Sequence, residues 1–294
     1  MERREFLAKS CAAGVAAVSG GALMAQQQSR VQRQPGESDA AYRTRLAQVQ
    51  QQQALLQAHM AAAGRCYYEL RRYEIETEAQ KAGFDKFASE AAIPALNRLG
   101  ITPVGVFYPN EGLIPIYVLL PHPTLGSFVT LTQRLGEDQE FLEKGADFIN
   151  APAGAPAYKS VEIQLMAAFE GMPKLERPTD APGRVFQLRT YESPSEKAGL
   201  KKIEMFNTAE IAVFRKVGLH PVFFGQTLAG AKMPNLTYML GFKDMDESKA
   251  NWKKFGADPD WQKLRAMPEY MDKEIIRKNG ITNLYLKPAS YSQI

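Results

Sequence analysis

Apolar and polar side chains alternate from Tyr68 to Tyr73, and again from Phe186 to Tyr191, which predicts two β-strands of one kind. A stretch of helical period follows each. Phe84, Phe87, Ala91 and Leu99 mark the face of the first; Leu200, Ile203, Ile211 and Phe214 mark that of the second. Thr77 with Gln80, and Ser193-Pro194-Ser195-Glu196 with its proline at the first helical position, read as helix starts of the capping-box type. Gly100 and Gly218 stand where a helix ends in a left-handed residue. Strands are expected near 101–108 and 113–120 about the turn Asn110-Glu111-Gly112, and near 219–226 and 236–242. Second helices near 125–147 and 245–266 and closing strands near 160–168 and 281–287 complete the pattern.

The pattern is a repeat. Arg71 and Arg189 are 118 positions apart, and so are Gly100 and Gly218. Each copy runs β-α-β-β-α-β, the ferredoxin-like order, which covers only one face of its sheet with helices. The predicted fold is therefore α+β: two tandem ferredoxin-like modules packed sheet to sheet as a dimeric α/β-barrel-like body. The modules span 65–170 and 184–294, and the Pro-rich stretch 171–183 links them.

The first 64 residues follow other rules. Arg3-Arg4-Glu5-Phe6-Leu7 precedes an uncharged small-residue run to Ala25, the layout of a twin-arginine signal peptide over 1–25. That run is too short to cross ~30 Å of hydrocarbon. Periplasmic or secreted location is the expectation, with no stable membrane span after processing. A Gln- and Ala-rich linker, partly helical, follows over 26–64. The 294 residues carry a net charge of only +4, with acids and bases mixed, so no nucleic-acid surface is indicated. The two cysteines, Cys11 and Cys66, leave one thiol once the leader is gone, and His59, His122 and His220 lie at no metal-ligand spacing. Neither a metal nor a bound cofactor is indicated. His122, between Pro121 and Pro123, reads as an exposed turn residue; His220 reads as a hydrogen-bonded structural residue at a strand start. Trp252, Phe255 and Trp261 read as packing.

Glu69-Leu70-Arg71-Arg72-Tyr73 and Gln187-Leu188-Arg189-Thr190-Tyr191, with the Gly-x-x-Pro turns Gly100–Pro103 and Gly218–Pro221, resemble the modules of the NIPSNAP family. The resemblance covers about 65–169 and 184–288. It implies a dimeric α/β-barrel, here closed within one chain with homo-oligomerisation open, and no particular reaction.

Strand period places Glu69, Arg71 and Tyr73 on one face, and Gln187, Arg189 and Tyr191 on the matching face of the other copy. Putting Leu70 and Leu188 under the helices turns these six polar residues toward each other between the sheets. There two guanidiniums favour a small-molecule anion, or else pair internally, as Arg189 with Glu69. Two functions follow: an anion-binding or oligomeric module, or a cofactor-independent or loosely cofactor-bound enzyme of the barrel superfamily, monooxygenase-like. No Ser-His-Asp order, phosphate-binding glycine loop or HExxH motif is present.

Overall fold

The structure, a computed structural model, describes residues 33, 36–112 and 114–294. The stretch 1–25, expected to be a signal peptide, lies outside them. The N-terminal part forms a unit of its own, a helix α1 (Asp39–Ala63). Ser38 opens it by accepting from the Ala41 amide at 3.2 Å.

The second unit is a barrel. Its first half contributes β1 (Tyr67–Glu74), β2 (Gly105–Pro109), β3 (Ile116–His122) and β4 (Ser160–Ala168). Its second half contributes β5 (Val185–Glu192), β6 (His220–Ala229), β7 (Asn235–Phe242) and β8 (Ile281–Pro288). Each half has the strand order of a ferredoxin-like sheet, β4-β1-β3-β2 and β8-β5-β7-β6, and the edges join into one closed ring. Closure is made by β2 on β8, with Tyr108 opposite Lys287, and by β4 on β6, with Ala168 opposite Gly225. All these pairings are antiparallel and, among the described residues, no edge strand is left open. The expected fold class is present.

The helix after β1, α2, runs Glu78–Phe87, passes through a π-helical turn Ala88–Ala92, and ends Ile93–Arg98. Its counterpart α3 runs Glu196–Met205, Phe206–Glu210 and Ile211–Val217. Thr77 caps the first, and Gly100 and Gly218 take positive φ of 77° and 82° beyond the ends. In the second copy the cap is Ser195, with Pro194 before it rather than inside the helix. Leu200, expected on the buried face, is 55% exposed. The π turn explains this. It adds one residue per turn, so a face traced back from Ile211 and Phe214 lands one position off, and Gly199, Lys202 and Met205 are the buried ones. The expected helix over 125–147 is instead four short helices, Leu125–Val129, Leu131–Gly136, Gln139–Lys144 and Ala146–Ile149, broken where Asp138 starts a new turn. Near 245–266 the helix divides at Asp258 and Pro259 into α4 (Met245–Ala257) and α5 (Pro259–Arg265).

The strand faces are the reverse of those expected. Tyr68, Leu70, Phe186 and Leu188 point into the barrel, where Tyr68 meets Phe223 at 4.9 Å between ring centroids and Phe107 meets Phe186 at 5.0 Å. These contacts cross from one half to the other. Glu69, Arg71 and Tyr73 lie on the outer face under α2, and Gln187, Arg189 and Tyr191 under the helices of the second half. A strand with helices outside and a second sheet inside is buried on both faces, so leucine does not mark the helix side.

Candidate functional site

The six expected site residues form two separate sets, one on the outside of each half-sheet. The pairing of Arg189 with Glu69 does not occur.

In the first half, β1 and β3 set Glu69 beside His122, which is fully buried rather than exposed. His122 Nε2 lies 2.9 Å from Glu69 Oε2, and Nδ1 lies 3.0 Å from Ser127 Oγ. Ser127 stands in the first turn after Thr124, whose hydroxyl accepts from the Ser127 amide at 3.1 Å. On the other side, Arg71 Nε donates to Glu69 Oε1 at 2.6 Å, and Nη1 donates to the Tyr73 hydroxyl at 3.3 Å. A continuous polar chain, Ser127–His122–Glu69–Arg71–Tyr73, thus runs under the helices. Burial pushes the Glu69 carboxyl up, but the hydrogen bond from His122 and the charge and hydrogen bond of Arg71 outweigh it and hold the group below the usual carboxylate range. Sequence reading missed His122 and Ser127. Their one signal was the sequence of a capped turn, Thr124 to Ser127, directly after a strand.

The Arg71–Tyr73 end of this chain opens on a cavity of ≈280 Å³. Arg71 and Tyr73 supply its polar end. Phe84, Phe141, Phe148 and Tyr158 supply ring walls, and Ala88, Leu96, Val106 and Val118 leave the space. Phe87 and Phe148 stack at 4.1 Å, with 7° between their planes, and separate the cavity from a surface recess of ≈440 Å³ that both also line.

The second half has the same frame with its space filled. Phe206 opens the π turn where Ala88 does. Val106 pairs with Val118 across β2–β3, and Phe224 pairs with Tyr238 across β6–β7. Phe214 stands four residues beyond the end of the π turn, as Leu96 does. Phe206 lies 5.3 Å from Phe224 and 5.5 Å from Tyr238, and Phe214 lies 5.8 Å from Phe206. The polar residues are engaged as well, save Arg189 Nε, which is buried without a hydrogen-bond partner among the described residues. Gln187 accepts from Trp252 Nε1 at 2.6 Å and donates to Asn283 at 2.8 Å. Arg189 stacks its guanidinium over Trp252 at 4.8 Å and over Tyr191 at 5.4 Å. Tyr191 and Tyr238 share a hydrogen bond of 2.9 Å. Lys202 and Glu210, both buried, pair at 3.0 Å where the first half has Phe84 and Ala92.

Between the sheets, one end of the barrel holds a recess of ≈700 Å³ lined by Leu70, Arg72, Gln164, Leu188 and Thr190. Its polar groups satisfy one another: Arg72 pairs with Glu74 at 2.7 Å, and Gln164 donates to Thr227 at 2.6 Å and to Thr237 at 3.0 Å. His220, at the rim of β6, is exposed. Among the described residues no group of three or more His, Cys, Asp or Glu is arranged to hold a metal, and no helix is long and apolar enough to cross a membrane.

The fold is a dimeric α/β-barrel closed within one chain. Its architecture is similar to that of two proteins provisionally assigned as monooxygenases. One, from Fusobacterium nucleatum, is 8% identical over 76% of this chain and 92% of its own, with a TM-score of 0.51. The other, from Lactobacillus acidophilus, is 7% identical over 76% and 94%, with a TM-score of 0.50. An uncharacterised NIPSNAP-like protein from Burkholderia xenovorans is 20% identical over 37% of this chain and 88% of its own, with a TM-score of 0.33. Residues 186–293 match the NIPSNAP family and form a NIPSNAP domain. No curated protein matches the chain.

Proposed function

We propose that this chain is an exported small-molecule binding protein of NIPSNAP type, that its first half is a second NIPSNAP copy, and that its ligand site is the cavity beneath α2 in that first half. One observation carries the site: at four equivalent positions the second half places Phe206, Phe214, Phe224 and Tyr238 where the first has Ala88, Leu96, Val106 and Val118. A space kept open by small side chains in one copy and plugged by rings in the other fits a ligand, because empty volume in a core is destabilising. The test is native mass spectrometry of protein isolated from its own host. A bound molecule should accompany the natural chain and be absent from Val106→Phe and Ala88→Phe. Equal occupancy in the plugged variants would remove the cavity from consideration. Export rests on Arg3-Arg4 before the uncharged run. Replacing both by Lys should hold the protein in the cytoplasm, and unimpaired export would reject the twin-arginine route.

A second reading, an enzyme of monooxygenase-like chemistry in the same cavity, draws on the barrel likeness and on the polar chain reaching the cavity through Arg71 and Tyr73. It rests on analogy of fold. Oxygen uptake with small hydroxyaromatic compounds, lost in Val106→Phe, is its expected signature.

A further inference from the structure

We infer that the cavity of the first half takes an oxyanion carried on an aromatic body of one or two rings, the anion held by Arg71. The inference rests on the cavity reading above and names the ligand class for it.

Ser127 Oγ lies 2.9 Å from the Thr124 carbonyl oxygen, which can only accept, and we assign the serine proton to that contact. Ser127 therefore accepts from His122, and Nδ1 carries a hydrogen. The contact of His122 Nε2 with Glu69 Oε2 needs one more proton, on either atom. An Nδ1-protonated imidazole, a carboxylate and one shared proton sum to zero charge. The guanidinium of Arg71 is then one positive charge in excess, although it touches Glu69. Its Nε is engaged by Glu69 and its Nη1 by Tyr73, while Nη2 has no hydrogen-bond partner among the described residues. The matching arginine of the second half, Arg189, is capped by the Trp252 and Tyr191 rings. No ring lies over Arg71 among the described residues, and it lines the open cavity. An oxyanion there meets a free N–H edge and the Tyr73 hydroxyl, and the excess charge is matched. The body of the ligand follows from the walls: Phe84, Phe141, Phe148 and Tyr158 offer ring faces and edges. A volume of ≈280 Å³ is nearly twice the ~150 Å³ of an apolar cavity that houses benzene. His122 and Ser127 are positioning residues in this scheme, since they fix the summed charge of the His122–Glu69 pair without facing the cavity.

The test uses the full chain and two matched probes, 2-naphthoate and the uncharged 2-naphthamide, titrated calorimetrically at neutral pH. Naphthoate should bind at least tenfold more tightly. The preference should survive in part in Arg71→Lys and fall to within about twofold in the paired variant Glu69→Gln/Arg71→Met, which removes the carboxylate and the guanidinium together and lets His122 give up the shared proton, so that no buried charge is left alone. Both probes should be excluded by Val106→Phe. If both bind equally and Val106→Phe excludes both, the cavity reading stands and the oxyanion is rejected. If neither binds the natural chain, the cavity reading fails and takes this one with it. Nitrogen-15 NMR of labelled histidine gives a check independent of binding: Nδ1 of His122 should be protonated, and that proton signal should change in Ser127→Ala. An unprotonated Nδ1 would make Glu69–Arg71 a closed neutral pair and overturn the count.

Discussion

The two halves of the barrel solve the same packing problem in opposite ways. Around Tyr191 the space between sheet and helices holds Phe206, Phe214, Phe224 and Tyr238 in mutual contact, with Trp252 and Phe255 against them. Around Tyr73 the same frame holds Ala88, Leu96, Val106 and Val118 and an opening. A fully buried Phe contributes roughly 1.5–3 kcal/mol of hydrophobic stabilisation, of which the smaller side chains of the first half forgo a part. Because the halves share one closed sheet, stability built in one supports the other. Duplication lets a single chain separate holding the barrel together from keeping a space open.

Four measurements bear on this contrast. The largest effects are expected in the filled half. Phe224→Ala should cost about 3–5 kcal/mol of unfolding free energy, since a rigid aromatic cluster collapses little around the loss. A much smaller loss in denaturant melts would show that the second half is not tightly packed. Lys202→Met should cost a similar ~3–5 kcal/mol, because it leaves Glu210 buried and unpaired, while Lys202→Met/Glu210→Leu should recover most of it. Failure of the double variant to recover would point to a role for Glu210 beyond pairing.

Smaller effects are expected in the open half. Val106→Phe adds a ring where there is room, so stability should move by less than about 1 kcal/mol while binding of 2-naphthoate falls at least tenfold, ~1.4 kcal/mol. A large loss of stability would mean the cavity cannot accept a ring. The smallest effect is in pH dependence. The folded Glu69 titrates below its unfolded value of ~4.3. The stability it contributes is fully present above that pH and is lost as pH falls through the folded value. Glu69→Gln should therefore flatten part of the acid limb of a melting-temperature profile. The rest should persist through Asp85, which burial pushes up but Lys81, Tyr108 and Tyr291 hold down by hydrogen bonds. The second half has Gln187 and Ile203 at these two positions, so its part of that limb comes instead from Glu204 and Asp258, held down by hydrogen bonds from Lys201 and Lys216. An unchanged profile in Glu69→Gln would contradict the ionised carboxyl.

Much of the architecture was legible along the chain. The alternation at Tyr68–Tyr73 and Phe186–Tyr191, the Thr77 cap and the glycines at 100 and 218 are local signals, set by backbone geometry and short-range hydrogen bonds, and they determined the strands, the helix limits and the repeat. The recurrence of one element pattern in both copies pointed to the ferredoxin-like order twice over. Tertiary structure decided what those signals leave open. Period two divides Glu69, Arg71 and Tyr73 from Leu70 and Arg72 but cannot say which set meets helices and which meets the other sheet, because both sides are buried once the barrel closes. The π turns shift the helical face by a residue without any mark in composition, which moved Leu200 out and Lys202 in. His122 gained its partners only when β3 lay beside β1. The cavity is a difference between residues that are distant in the chain: Ala88, Leu96, Val106 and Val118 are each unremarked alone, and only their meeting on one face, set against the rings of the other copy, makes a space.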